Sequence, residues 1–131
     1  MTVENDPIAP IADASVLDQA AVAAPTPSLQ IVVRRVGGRT RVVMAGELDD
    51  STAPILRERL VQVTADLVGD LVLDIGMLSF VDSTGLALFV ALHKKLQSIG
   101  TALTIASPSP MARRLFEITG LSQILAIEPS D

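Results

Sequence analysis

Apolar residues along the chain recur with two different periods, and the change of period marks the elements. Five segments are rich in β-branched residues or almost wholly apolar, which is typical of strands: 29–35, 39–48, 71–75, 102–106 and 124–127. The first two are joined by Val36-Gly37-Gly38, which predicts an antiparallel hairpin. The later three carry few polar residues, as in strands that are buried on both faces.

Between the later strands, apolar residues recur every three or four positions, which predicts three amphipathic helices. Their apolar stripes are Leu56, Leu60, Val63 and Leu67; Gly85, Phe89, Leu92, Leu96 and Ile99; and Met111, Leu115 and Ile118. Ser51 or Thr52 can cap the first helix, and Ser83 the second. Ser109 is placed to cap the third helix, and Gly120 to end it in the left-handed conformation.

The resulting order of elements is β-β-α-β-α-β-α-β. A helix separates each later strand from the one before it, which indicates parallel crossover connections, whereas the first two strands form an antiparallel pair. The sequence therefore predicts the α/β class, with one mixed β-sheet and helices packed on it.

Residues 1–28 differ in composition from the rest of the chain. They carry Glu4, Asp6, Asp13 and Asp18 but no Lys or Arg, and four prolines interrupt them. We expect residues 1–28 to be a disordered acidic Ala/Pro-rich tail, and residues 29–131 to form one domain. A short helix over 14–24 is an alternative, as is a role of the tail as a docking or regulatory arm.

Charge and composition exclude several classes of function. The net charge is −5, and because the tail holds four of the 15 acidic residues, the rest of the chain has 11 acidic against 10 basic residues. Such a near-neutral domain lacks the footprint of a nucleic-acid-binding protein. The chain has no cysteine for a disulfide or a zinc-thiolate site. Without an apolar run of about 18 residues or a signal peptide, we expect a cytoplasmic protein that does not insert into a membrane.

The stretch FVDSTGL, residues 80–86, places two hydroxyl side chains at the start of the second helix. As a nucleophile of its own enzyme, Ser83 would need a base within hydrogen-bond reach. The single histidine, His93, lies ten residues further along the same helix, which is about 15 Å away at 1.5 Å per residue. We therefore predict no catalytic residue, and a protein that is not an enzyme.

Four carboxylates are expected near this stretch, because Glu47, Asp49 and Asp50 end the second strand and Asp82 precedes the second helix. Three interpretations are open: a Mg²⁺ site, an ordinary acidic loop face, and a docking surface for a basic partner. Neither a phosphate-binding loop, nor a dinucleotide glycine pattern, nor zinc-ligand spacing is present.

A second interpretation of FVDSTGL makes Ser83 a site of modification by another protein. Leu86 and Leu88 could form an apolar contact patch beside the helix cap. Phosphorylation would add nearly two negative charges at the centre of that patch. A helix N-terminus tolerates such charge, but the neighbouring acids and an acidic or apolar partner surface would reject it. A loss of about 3 kcal/mol in the free energy of binding would weaken the affinity for the partner more than a hundredfold.

Three motifs together resemble a known family. The stretches AGELDDSTAPILRERL, LVLDIGMLSFVDSTGLALFVALHKKL and PSPMARRLFEITGLSQILAI, within residues 29–128, resemble the STAS domain of bacterial anti-sigma factor antagonists. The resemblance implies a mixed sheet with helices packed on it. It also implies partner switching, in which the unphosphorylated antagonist binds an anti-sigma factor and so frees a sigma factor.

In this family the anti-sigma factor is also a serine kinase that binds the ATP, so the resemblance implies no cofactor for the chain itself. It implies phosphorylation at Ser83, which releases the antagonist, and a phosphatase that resets it. The matching partner-binding residues, with Asp49 foremost, are Glu47, Asp49, Asp50, Asp82, Thr84, Gly85 and Leu86. An alternative is a STAS subunit or scaffold module of a transporter, lipid-transfer or signalling complex, although the hydroxyl motif favours the first hypothesis. A Mg²⁺-dependent hydrolase is the remaining alternative.

Overall fold

The structure is a computed structural model that describes residues 28–128. The predicted acidic tail therefore lies outside the described residues, apart from Ser28 at its end. The first strand begins at Leu29, directly after Ser28.

Within residues 28–128 the chain forms five strands, three α-helices and one 3₁₀ turn. In chain order they are β1 (Leu29–Val36), β2 (Arg39–Leu48), α1 (Ala53–Ala65), β3 (Leu71–Val81), α2 (Ser83–Ser98), β4 (Leu103–Ala106), α3 (Pro110–Thr119), the 3₁₀ turn (Leu121–Gln123) and β5 (Ala126–Ile127). The strands form one sheet in the order β1-β2-β3-β4-β5. β1 and β2 pair antiparallel and all later neighbours pair parallel, which confirms the predicted α/β fold with a mixed sheet.

The sheet order follows the chain order, so each crossover steps to the next strand in the same direction. Since such connections are right-handed, the three helices pack on one face of the sheet. That face supplies the aliphatic core, with Met44, Leu73 and Ile105 buried completely. Phe89 of α2 and Phe116 of α3 are also fully buried, and their ring centroids lie 6.4 Å apart at a tilt of 55°.

The third strand is much longer than the apolar run that predicted it. The predicted strand ends at residue 75, but β3 continues to Val81 because β2 offers a pairing partner along its whole length. Glu47 pairs with Phe80 and Leu48 with Val81, across two irregularities in the register. In the sequence, Gly76 and Ser79 interrupt the apolar run that begins at Leu71. The last strand, by contrast, is shorter than predicted and covers Ala126–Ile127.

The predicted ends of α3 are confirmed, whereas most of its predicted buried face is wrong. Ser109 caps α3 by accepting a hydrogen bond from the amide of Ala112, and Gly120 ends it at φ 79°. The predicted stripe of α3 is wrong for its two end members, because Met111 and Ile118 are 67% and 70% exposed. The side that packs is formed by Ala112 and Phe116. Ile99 is likewise exposed just beyond the end of α2, whereas the rest of the predicted α2 stripe is buried.

Candidate functional site

Two loops meet at the edge of the sheet where β2 and β3 end. The last residue pair of the β2–β3 ladder is Leu48 and Val81. The amide of Asp82 then donates to the carbonyl oxygen of Leu48 at 3.1 Å, which ties the start of α2 to the end of β2. The loop that precedes α1 and the loop that precedes α2 therefore lie side by side, as expected for the carboxyl ends of neighbouring parallel strands.

Asp82, and not Ser83, caps the second helix. Its backbone is extended, and its carboxylate Oδ1 accepts hydrogen bonds from the amides of Thr84 at 2.9 Å and Gly85 at 3.2 Å. The prediction that Ser83 is the cap is therefore wrong by one residue. Ser83 is the first residue of α2 and is exposed, and its hydroxyl makes no hydrogen bond to any residue between 28 and 128. The cap thus leaves this hydroxyl available for another molecule.

Gly85 fixes how closely the first turn of α2 approaches the sheet. A Cβ atom at this position would lie 2.7 Å from Cγ of Leu48 and 2.8 Å from Cγ2 of Val81, which is closer than real side chains permit. The glycine therefore lets α2 rest directly on the ends of β2 and β3. This close contact holds Ser83 and the loop after Leu48 at a fixed separation.

The predicted apolar contact patch beside the cap is wrong in its members. Leu86 and Leu88 are each only 6% exposed and belong to the core. Gly85 is buried as well, and direct contact of Gly85 or Leu86 with a partner stays a prediction. Within the stretch FVDSTGL, the large apolar side chain that is exposed is Phe80, at 47%.

Asp49 organises the neighbouring loop through its side chain. Its Oδ1 accepts hydrogen bonds from the hydroxyl of Ser51 at 2.7 Å and from the amides of Ser51 and Thr52 at 2.9 and 3.1 Å. The bond from the Ser51 hydroxyl is the largest cause that lowers the pKa of Asp49 below its ordinary value, while partial burial opposes it. Asp49 therefore remains ionised at neutral pH and holds the turn in one conformation.

Thr52 is a residue of the site that the sequence did not single out for this role. It is 3% exposed, and its hydroxyl donates to the carbonyl oxygen of Glu47 at 2.8 Å and accepts from the amide of Asp49 at 2.9 Å. It occupies the position before α1, as predicted, but its side chain makes no capping bond to that helix. Thr52 therefore ties the end of β2 to the Asp49 turn. The signal available in the sequence was a threonine three residues after Asp49 and just before the predicted helix.

The predicted acids do gather at this edge, but not as a metal site. Glu47 and Asp50 are exposed, while Asp49 and Asp82 direct a carboxylate oxygen to backbone amides of their own loops. Within residues 28–128, no group of three or more potential ligand residues is placed to hold a metal ion. These residues give the Mg²⁺ interpretation no support and leave the acidic loop face and the docking surface.

Comparison with known proteins identifies the architecture. The model of the STAS domain matches residues 30–130. The chain belongs to the STAS domain family. The STAS protein named anti-sigma-B factor antagonist in Bacillus subtilis is 37% identical over 100 residues, which cover 76% of this chain and 91% of the relative.

Solved structures agree with this assignment. The crystal structure of an anti-sigma factor antagonist from Mycobacterium paratuberculosis is 30% identical, with a TM-score of 0.73, and the match covers 82% of this chain and 92% of that one. The phosphorylated form of the Bacillus cell fate determinant SpoIIAA has the same STAS fold, with a TM-score of 0.60 at 22% identity over 76% of this chain and 92% of that one. No helix in the described part of the chain is long and apolar enough to cross a bilayer.

Proposed function

We propose that this STAS protein is an anti-sigma factor antagonist that acts by partner switching in the cytoplasm. In its unphosphorylated form it binds an anti-sigma factor that is also a serine kinase, and so releases a sigma factor. The kinase, which binds the ATP, phosphorylates Ser83 and thereby ends the complex, and a phosphatase restores the hydroxyl. The chain itself performs no catalysis and is the substrate of both enzymes.

The observation that carries this proposal is the exposed hydroxyl of Ser83, which no neighbouring residue within 28–128 engages. A kinase must reach the acceptor oxygen with its own base and with the γ-phosphate of ATP. Ser83 meets this requirement because Asp82 takes over the capping of α2. Thr84, by contrast, is partly buried within the first turn, so the geometry favours Ser83 as the acceptor.

The same geometry supports a release mechanism that leaves the fold intact. A phosphate on the first residue of a helix lies near the positive end of the helix dipole, which tolerates negative charge. In a protein interface the same group would be stripped of water and would face the carboxylates of Asp49 and Asp82. A penalty of about 3 kcal/mol lowers affinity more than a hundredfold.

The relatives support the proposal by their names. The Bacillus subtilis protein, which matches over 91% of its length, is named for antagonism of an anti-sigma factor. SpoIIAA, which shares the fold, has been solved in a phosphorylated form.

The test is phosphorylation by the serine-kinase anti-sigma factors of the same genome. The full chain is incubated with each kinase and ATP, and the phosphate is located by mass spectrometry. We expect one phosphate at Ser83, none in Ser83→Ala, and unchanged phosphorylation in the matched variant Thr84→Val. Phosphate on Thr84, or a chain that no kinase binds or modifies, would contradict the proposal.

Ser83→Asp tests the electrostatic part separately. We expect the complex with the kinase to weaken more than a hundredfold, or by about 3 kcal/mol, with little change in melting temperature. In the neutral variant Ser83→Asn the side chain has nearly the same shape as aspartate, and this variant should retain most of the affinity for the kinase. If Asn weakened binding as much as Asp, the release would be steric and the charge argument would be wrong.

A further inference from the structure

The strand β1 forms one edge of the sheet, and no other strand within residues 28–128 pairs with its outer side. It has 8 residues, contains neither proline nor glycine, and pairs with β2 without any shift in register. The opposite edge strand, β5, has 2 residues. Proteins commonly shorten, bend or cover such an edge, because its free backbone groups can pair with another strand. β1 therefore offers a regular surface for strand pairing.

Alternate residues of β1 direct their backbone groups away from β2. In an antiparallel ladder, every second residue exchanges hydrogen bonds with the neighbouring strand. The carbonyl oxygen of Ser28 accepts a bond from the amide of Glu47 at 2.7 Å, so the even-numbered residues of β1 are those that bond β2. The residues whose amides and carbonyl groups point outwards are then Leu29, Ile31, Val33 and Arg35.

A second copy of the chain can satisfy all of these outward groups in one antiparallel register. When Val32 of one copy lies opposite Val32 of the other, Ile31 pairs with Val33, and Leu29 pairs with Arg35. Each pair joins two residues whose backbone groups point outwards, and the pairing covers the whole strand. The arrangement has two-fold symmetry, as expected for a contact between identical surfaces.

The same register keeps like charges apart. Arg34 of one copy lies opposite Gln30 of the other, and Arg35 lies opposite Leu29, so that no two arginines face each other. A pairing centred on Arg34 instead would bring two guanidinium groups together, which is destabilising, and would leave Leu29 without a strand partner. In the single chain Val32 is 49% exposed, and its own counterpart would cover it in the pair.

The charges beside β1 also complement each other between the two copies. An open cavity of about 380 Å³ between β1 and α1 contains Glu58 and Arg59 together with Leu29. Arg59 also lines the next cavity, beside Val33, and therefore lies further from Leu29 than Glu58 does. Glu58 is exposed and has no ion-pair partner within residues 28–128.

Because Arg35 of the other copy stands opposite Leu29, its side chain enters this cavity at the end that carries Glu58. The two-fold symmetry repeats the contact between Arg35 and Glu58 on the other side of the axis. In the single chain Arg35 donates to the carbonyl oxygen of Asp66 at 3.2 Å, so the guanidinium exchanges an exposed contact with a carbonyl for one with a carboxylate.

We propose that two copies of the chain pair through the outer edge of β1, antiparallel about a two-fold axis at Val32, to form one continuous sheet. The binding surface consists of the outward backbone groups of β1 and the cavity beside Glu58. Ser83 lies at the end of β2 and β3 and not on this edge, so the pairing does not depend on the function proposed for Ser83.

Disulfide trapping tests the register, because the chain contains no cysteine of its own. In full-length Val32→Cys the two thiols lie directly opposite each other, with Cβ atoms about 4.5 to 5.5 Å apart. The matched control is Val36→Cys, on the same strand and at similar exposure, 56% against 49%. In the proposed register the two copies of position 36 are about 27 Å apart.

Under mild oxidation we expect the disulfide-linked dimer of Val32→Cys to form about tenfold faster than that of Val36→Cys, because pairing raises the effective concentration of the thiols at position 32. Equal rates, a faster reaction at position 36, or no linked dimer of Val32→Cys would overturn the proposal.

Sedimentation of the full-length chain without cysteines measures the same pairing at equilibrium. Val32→Lys brings two ammonium groups to the two-fold axis and should raise the dissociation constant of the dimer about tenfold or more. The control Met77→Lys adds the same charge to the same face of the sheet on β3, where the side chain is 67% exposed, and should leave the constant unchanged. A monomer at about 200 μM, or a dimer that Met77→Lys dissociates and Val32→Lys does not, would overturn the proposal.

A charge exchange tests the contact between Arg35 and Glu58. Either Arg35→Glu or Glu58→Arg should raise the dissociation constant about five- to tenfold, because each dimer loses two surface ion pairs. The double variant restores both pairs with opposite signs and should regain the wild-type constant. The control Glu117→Arg reverses an exposed acid on α3 and should have no effect. If the double variant dimerised as weakly as the single variants, the proposed register would be wrong.

Discussion

Replacing Thr52 by valine removes one buried hydroxyl and keeps the volume of the side chain. In the wild type this hydroxyl bonds the carbonyl oxygen of Glu47 at 2.8 Å and the amide of Asp49 at 2.9 Å. Leaving a buried polar group without a partner costs about 1 to 3 kcal/mol, and two backbone groups are affected here. Because the valine also avoids burying a hydroxyl, we expect a net loss of about 2 kcal/mol in the free energy of unfolding.

The assay is thermal or urea unfolding of Thr52→Val beside Thr52→Ser. Serine keeps both hydrogen bonds and loses one methyl group, which should cost about 1 kcal/mol or less. For a domain of this size, 2 kcal/mol corresponds to a fall of roughly 8 to 16 °C in melting temperature. Hydrogen exchange should show that the amide of Asp49 loses protection in the valine variant alone.

The reasoning would be refuted if valine were as stable as wild type or more stable than serine. In that case the hydroxyl would not hold the loop, and packing of the Thr52 methyl group would account for its burial.

The remaining predictions concern the cap and the turn. Asp82→Ala should lower the free energy of unfolding by about 1 kcal/mol, because the amides of Thr84 and Gly85 lose their acceptor. Asp82→Asn keeps an acceptor oxygen and should retain most of the cap. If urea unfolding showed equal losses of stability in both variants, the charge of Asp82 and not its hydrogen bonds would stabilise the helix. The lowered pKa of Asp49 means that its stabilising effect is present above its ordinary value of 3.8 and is lost as the pH falls through the folded-state value. Asp49→Asn should therefore flatten the dependence of stability on pH in that acidic range, and an unchanged curve would contradict the assignment.

The hydrophobic pattern predicted the class and order of the elements because strands buried on one or both faces and amphipathic helices each have their own period. It did not predict the second half of β3. Residues 76–81 form a strand because β2 extends beside them, and this pairing partner is distant in sequence. The same limitation affected α3, where the positions of Met111 and Ile118 fit one helical face as well as those of Ala112 and Phe116 fit another. Contact between Phe116 and Phe89 decides between the two faces.

At the site, sequence motifs singled out the loops after β2 and β3, since each follows a strand and precedes a helix, and a functional role of these loops stays a prediction. The motifs did not predict which residue of the second loop caps α2 and which residues are buried. Asp82 rather than Ser83 became the cap because an extended residue with a short carboxylate reaches two amides of the first turn. Leu86 was expected at the surface, yet the close approach that Gly85 permits turns it into the core.

The sequence by itself therefore determined the α/β order, the hairpin, the helix ends at Ser109 and Gly120, and the motif around Ser83. These features depend on neighbours within a few residues, and such local preferences are written into the chain directly. Only the tertiary structure decided that the loops after β2 and β3 lie together, that Thr52 is buried between them, and that the hydroxyl of Ser83 is exposed. Those outcomes depend on strand register and on how closely α2 packs against the sheet, which are set by contacts between residues far apart in sequence.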